Sequence, residues 1–182
     1  MAHVIITGGS SGIGLALARV FAGRGDSVSL LARSPALLQA ARDALLESHP
    51  DATVLTESVD VADDAAVIDA IGRCEAEAGA CDILVTSAGI VQPGLFDALP
   101  AEAFNRQIDT NLTGSVNAAR AVYGAMKARR AGRIMFVSSG AGLIGIYGYA
   151  AYSASKFALH GFAEALRSEA RPHGVTVSVC FP

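Results

Sequence analysis

His3-Val4-Ile5-Ile6-Thr7-Gly8-Gly9-Ser10-Ser11-Gly12-Ile13-Gly14 carries the fold in miniature. A short apolar, β-branched run, Val4–Thr7, breaks into a glycine cluster. Apolar residues then recur at helical spacing, Ile13, Leu17, Val20 and Phe21, across Gly12 to Arg24. Strand, tight turn and helix in direct succession form the first half of a βαβ unit. The alternation continues to the end of the chain. Ser27–Ala32, Val54–Glu57, Ile83–Thr86, Arg133–Val137 and Val175–Phe181 read as strands. Between them the spacing predicts helices over Pro35–Ser48, about Asp63 to Ala78, about Pro100 to Arg130 with a break near Asp109 to Asn111, and Tyr152–Arg171. Pro35 suits a first helical turn, and Asp63 and Asp64 favour a helix N-terminus. With no linker or internal repeat, residues 1–182 read as one α/β domain: a Rossmann-type, doubly wound parallel β-sheet flanked by helices in three α/β/α layers.

Composition narrows the function classes. The 182 residues are 52% hydrophobic and 17% charged with a net charge of -3, which excludes disorder. Their mean hydropathy is +0.41, yet no apolar run approaches the ~18–20 residues of a membrane helix. The start of the chain shows no charged leader, so the expectation is a cytoplasmic protein without an integral membrane segment. A pI near 5.7 and the lack of a basic run give no nucleic-acid partner. Cys74, Cys81 and Cys180 form no CxxC pair, and the four histidines are scattered singly, so no disulfide framework and no metal site is expected. The chain stops at Phe181-Pro182, the carboxyl edge of the last strand, where ligands bind in open α/β sheets. A loop closing over the site and a further strand are expected beyond that point.

Several short motifs lie at that same edge. In Gly8-Gly9-Ser10-Ser11-Gly12-Ile13-Gly14 the glycines permit a tight turn and close approach of a pyrophosphate to the helix N-terminus. No Gly-Lys-Ser/Thr follows, which argues against a P-loop. After the second strand stands Arg33, where an acid would select the ribose 2′-hydroxyl; arginine suits a 2′-phosphate, and equally suits a solvated surface. Asp60-Val61 offers a polar–apolar pair for an adenine ring, and Ala88-Gly89 a small-residue turn beside a ribose. Tyr152 and Lys156, four apart, share one helix face. A lysine cation stabilises tyrosinate and makes proton exchange with a carbonyl oxygen feasible. By spacing alone the pair is also an ordinary exposed Tyr/Lys pair. Ser139 follows the fifth strand, with a hydroxyl suited to a substrate oxygen. The charge-free stretch Gly140–Ala151 suits either the wall of an apolar ligand site or a loop packed on the core.

Thr7–Gly14, Asn111, Ser139 and Tyr152-Ser153-Ala154-Ser155-Lys156, in this order and spacing, resemble the short-chain dehydrogenase/reductase family over essentially the whole chain. The resemblance implies that Tyr152 is the catalytic acid/base and that Lys156 lowers its pKa and binds the nicotinamide ribose. It further implies that Ser139 positions the substrate carbonyl and that Asn111 holds a water of the proton relay. Gly8, Gly12 and Gly14, with Ser10, Ser11 and Ile13 between them, would cradle the pyrophosphate. Arg33 would take the 2′-phosphate of NADP(H), Asp60 and Val61 the adenine, and Ala88 and Gly89 the ribose. Thr86-Ser87 stands where the family has a pair of asparagines, keeping hydrogen-bonding groups but losing amide reach.

Within that family, His3–Gly14, Leu31-Ala32-Arg33, Ser58-Val59-Asp60-Val61, Met126–Arg133 and Ala151–Ala158 are similar to the 3-ketodihydrosphingosine reductases. The expectation is an NADPH-dependent reductase of a small, apolar ketone, working as a homodimer or homotetramer and meeting membranes through its substrate. Two readings stay beside it: a short-chain reductase of 3-oxoacyl thioesters, steroids or small ketones, and a non-catalytic NADP-binding regulatory protein.

Overall fold

The computed structural model describes residues 1–182. Six strands, β1 (His3–Thr7), β2 (Ser27–Ala32), β3 (Val54–Ser58), β4 (Ile83–Thr86), β5 (Gly132–Val137) and β6 (Val175–Cys180), form one sheet in the order β3-β2-β1-β4-β5-β6. Every pairing is parallel. Chain order reverses between β1 and β4, and a crevice opens beyond their carboxyl ends at such a switch point.

Helices α1 (Gly12–Gly23) and α2 (Pro35–Ser48) cover one face. On the other lie α3 (Asp64–Ala78), α5 (Gly114–Arg129) and α6 (Ala150–Ala170). Alternation along β1 divides the core: Ile5 joins the larger cluster under α3, α5 and α6, whereas Val4 and Ile6 join the smaller one under α1 and α2. Ser34 caps α2 by accepting the Leu37 N–H, and Pro35 fills the first turn. Asp63 stays outside α3 and caps it through the Ala66 N–H.

One sequence expectation changes. The apolar residues Ile13 and Val20 do not form the inner stripe of α1; they are 45% and 57% exposed, and the buried face is Gly14, Ala18 and Ala22. Close approach of α1 to the sheet demands small residues, which a count of large apolar side chains overlooks. The expected break near Asp109 to Asn111 takes the form of a π-helical turn. Helix α4 (Ala101–Ile108) runs into a π-helical turn, Asp109–Thr113, and on into α5. The Gly114 N–H donates to the Asp109 carbonyl, and the wide turn re-aims Asn111, as π-bulges commonly do near functional sites. No helix is long and apolar enough to cross a membrane.

Candidate active site

A cleft of about 540 Å³ opens at the carboxyl edge of the sheet. Its walls include Gly8, Ser10, Ser11, Gly12, Ile13, Arg33, Asp60, Val61, Ala88, Gly89, Ser139, Tyr152 and Lys156. Five separate turns and the start of α6 thus bring the sequence-predicted residues to one place. Gly14 and Asn111 stand behind the wall rather than in it.

The glycine turn is built for close approach. Gly8 has φ +69°, and a Cβ there would meet the Ala88 amide nitrogen at 2.7 Å. A side chain at Gly14 would collide with the Gly8 carbonyl. The Thr7 hydroxyl accepts the Ala88 N–H at 3.2 Å and ties this turn to the one after β4. Ser11 starts α1 without a side-chain cap, and the first turn holds no acid, so the leading N–H groups face the cleft unsatisfied. Arg33 is exposed on the cleft wall, and its guanidinium forms no ion pair or hydrogen bond, while its backbone carbonyl accepts the Ser58 hydroxyl at 3.0 Å. A bare helix N-terminus, a glycine cradle and an unpaired guanidinium fit a phosphorylated dinucleotide. The Asp60 carboxylate accepts the Ala62 N–H at 3.0 Å, and Asn117 donates to the Val61 carbonyl at 3.0 Å, fixing the turn after β3. Asn117 escaped the sequence reading, because its partner lies 56 residues away.

At the other end of the cleft, Tyr152 and Lys156 rise from the start of α6. The Lys156 Nζ is 5.7 Å from the centre of the Tyr152 ring. It is 5% exposed and donates to the Val137 carbonyl at 2.9 Å, with no carboxylate in reach. Burial pushes the ammonium down to about 8, since desolvation disfavours the charged form. Ser139 accepts the Ala141 N–H at 3.2 Å, which leaves its own proton to donate. Behind them Ser155 donates to the Tyr152 carbonyl at 2.7 Å and accepts from Asn111 Nδ2 at 2.9 Å. The backbone carbonyl of Asn111 accepts the Ser115 hydroxyl at 2.9 Å.

The charge-free stretch before α6 is placed differently from expectation. Leu143, Ile144, Ile146 and Tyr147 are not in the cleft wall but stand 43–86% exposed. A Cβ at Gly142 would lie 2.6 Å from the Ser138 hydroxyl and 2.9 Å from the Lys156 carbonyl oxygen, so the start of this stretch packs tightly against α6. The Gly94 N–H donates to the Gly148 carbonyl at 2.8 Å, joining this loop to the one after β4, where Leu95 and Phe96 are also exposed. The cleft wall on this side is Ile90, Val91 and Pro182.

The family model for short chain dehydrogenases matches residues 2–182. A 3-ketodihydrosphingosine reductase of Bos taurus is 45% identical over 184 residues, covering 100% of this chain and 55% of that protein. The chain therefore spans about half the length of that curated relative. The 3-oxoacyl-[acyl-carrier-protein] reductase FabG of Escherichia coli is 36% identical over 178 residues, covering 98% of this chain and 71% of that one. Among solved structures, a variant actinorhodin polyketide ketoreductase with NADPH superposes with a TM-score of 0.95 at 31% identity, covering 100% of this chain and 69% of that one.

Proposed function

The chain belongs to the short-chain dehydrogenase family, and from that premise we propose that the protein is an NADPH-dependent reductase of 3-ketodihydrosphingosine. The observation that carries the reductase reading is the gathering of Ser139, Tyr152 and Lys156 at the end of the dinucleotide-shaped cleft. The greater identity to a sphingoid reductase, 45% against 36% for the acyl-carrier reductase, favours the sphingoid ketone.

A bound NADPH supplies hydride to the carbonyl carbon. The rest of the chemistry falls to this chain. The Ser139 hydroxyl donates a hydrogen bond to the carbonyl oxygen and fixes its direction. Tyr152 gives its phenolic proton to that oxygen as charge develops. Lys156, kept dry, would hold the ribose of the bound cofactor with its remaining N–H groups, and its charge stabilises the phenolate left behind. Asn111 takes no proton itself; its side chain holds Ser155 and, through it, the first turn of α6 under Tyr152. Its carbonyl keeps a second lone pair for a relay water.

The 2′-phosphate falls to Arg33. Charge-assisted hydrogen bonds are worth ~1.5–3 kcal/mol, so Arg33→Ala is expected to cut the preference for NADPH over NADH by about tenfold or more. Dissociation constants for both dinucleotides check this, and a wild type that binds them equally contradicts it.

The outward loop, with Leu143, Ile144 and Ile146, offers the sphingoid chain an apolar lip beside the cleft. A carboxylate there must be brought against hydrocarbon, at a cost of about two methylenes' worth of burial, each ~0.8 kcal/mol. Ile144→Asp is expected to lower kcat/KM about tenfold for a long-chain 3-keto-2-amino alcohol. A short-chain analogue should be nearly unaffected. Equal losses for long and short ketones would remove the lip from the account.

A further inference from the structure

Gln107 is a fully buried glutamine on α4, whose Glu102, Asn105 and Arg106 are exposed. Burying an amide is costly unless its groups are bonded, and here they are. Its Oε1 accepts the Gln92 N–H at 3.0 Å, and its Nε2 donates to the Gln92 carbonyl at 3.3 Å and to the Ala103 carbonyl at 3.2 Å. One turn further on, Asn111 grips Ile90 in the same way, accepting its N–H at 2.8 Å and donating to its carbonyl at 2.9 Å. Two side-chain amides spaced i, i+4 thus read two backbone units spaced i, i+2. They pair with the segment after β4 as a neighbouring strand would. In an extended chain alternate amides face the same side, so the backbone groups of Val91 face away from the clamp. They make no hydrogen bond within the protein, and Val91 lines the cleft.

We infer that Gln107 is a positioning residue for the substrate: it holds Gln92, and with it the Val91 wall of the cleft, in the extended form that receives the ketone. Asn111 alone secures one residue of the segment; Gln107 supplies the second point that fixes its direction. Because that wall meets the ketone in the ground state and the transition state alike, loosening it weakens ketone binding, while the phosphate contacts of the dinucleotide at Ser10–Ile13 and Arg33 lie on other turns of the cleft.

The inference rests on the ketone-reductase reading for its kinetic part only. Amide exchange followed by NMR in the wild-type protein tests the clamp directly, without any variant. Ile90 and Gln92 are expected to exchange about 100-fold or more slowly than Val91. Exchange at Gln92 as fast as at Val91 overturns the inference. In Gln107→Met, Gln92 should join Val91 while Ile90 stays protected. The KM for the ketone should rise about tenfold, with kcat and the NADPH dissociation constant nearly unchanged. A variant that melts earlier but keeps its KM would show a merely structural glutamine and also overturns the inference. If the wild type reduces other ketones but no sphingoid one, the proposed substrate fails by itself. The exchange pattern still decides the clamp, with KM read on the ketone that is turned over.

Discussion

Tyr152→Phe is expected to lower the rate of ketone reduction by a factor of about 10³ while binding NADPH as the wild type does. The substitution removes one hydroxyl from a half-buried ring and leaves the ring's edge contact with Tyr149 in place. Nothing in the fold depends on that hydroxyl, which makes no hydrogen bond within the protein. Its loss therefore separates proton transfer from architecture. Stopped-flow NADPH binding and steady-state turnover on the same preparation give both halves. Turnover within tenfold of the wild type would remove Tyr152 from the mechanism.

Lys156→Met should show the opposite balance, a gain in stability bought with activity. In the folded protein the ammonium sits at about 8, against 10.5 for an ordinary lysine. Between those values the unfolded chain binds more protons than the folded one, so wild-type stability rises with pH across that window. Below pH 8 the full penalty applies, of order 3 kcal/mol. Removing the ammonium also strands the Val137 carbonyl, which returns roughly 1–2 kcal/mol of that gain. Lys156→Met is thus expected to be more stable than the wild type by on the order of 1–2 kcal/mol below pH 8. The difference should shrink and reverse as pH climbs toward 10.5. Turnover should fall by a factor of about 10² or more, and NADPH binding should weaken because the ribose loses its donor. Denaturant titrations at pH 7 and pH 10 check the sign. A variant equally destabilised at both would mean that the ammonium is not a buried, uncompensated charge.

Much of this arrangement is legible in the sequence because it rests on local signals. The run Val4–Thr7 and the glycines behind it specify strand, turn and helix within a dozen residues. Tyr152 and Lys156 share a face by helical geometry alone. Other features depend on partners far along the chain. Gln107 and Asn117 look like ordinary helix polars until Gln92 and Val61 arrive to satisfy them. The π-turn at Asp109–Thr113 has no period that a pattern search would find, and only a weakened helical signal marked it. The buried face of α1 is hidden from the sequence for a different reason: hydrophobic size is a poor guide where helix and sheet must nearly touch, and Gly14, Ala18 and Ala22 win over Ile13 and Val20. The tight packing of Gly142 against Ser138 and the Lys156 carbonyl is a contact between segments that no composition encodes.

The most direct test of the proposed activity is NADPH consumption by the protein produced from its complete coding sequence, with 3-ketodihydrosphingosine and a 3-oxoacyl thioester compared side by side. The expected kcat/KM for the sphingoid ketone is at least about tenfold above that for the thioester, with dihydrosphingosine as the product. Preference for the thioester, or NADPH binding without reduction of either ketone, would contradict it.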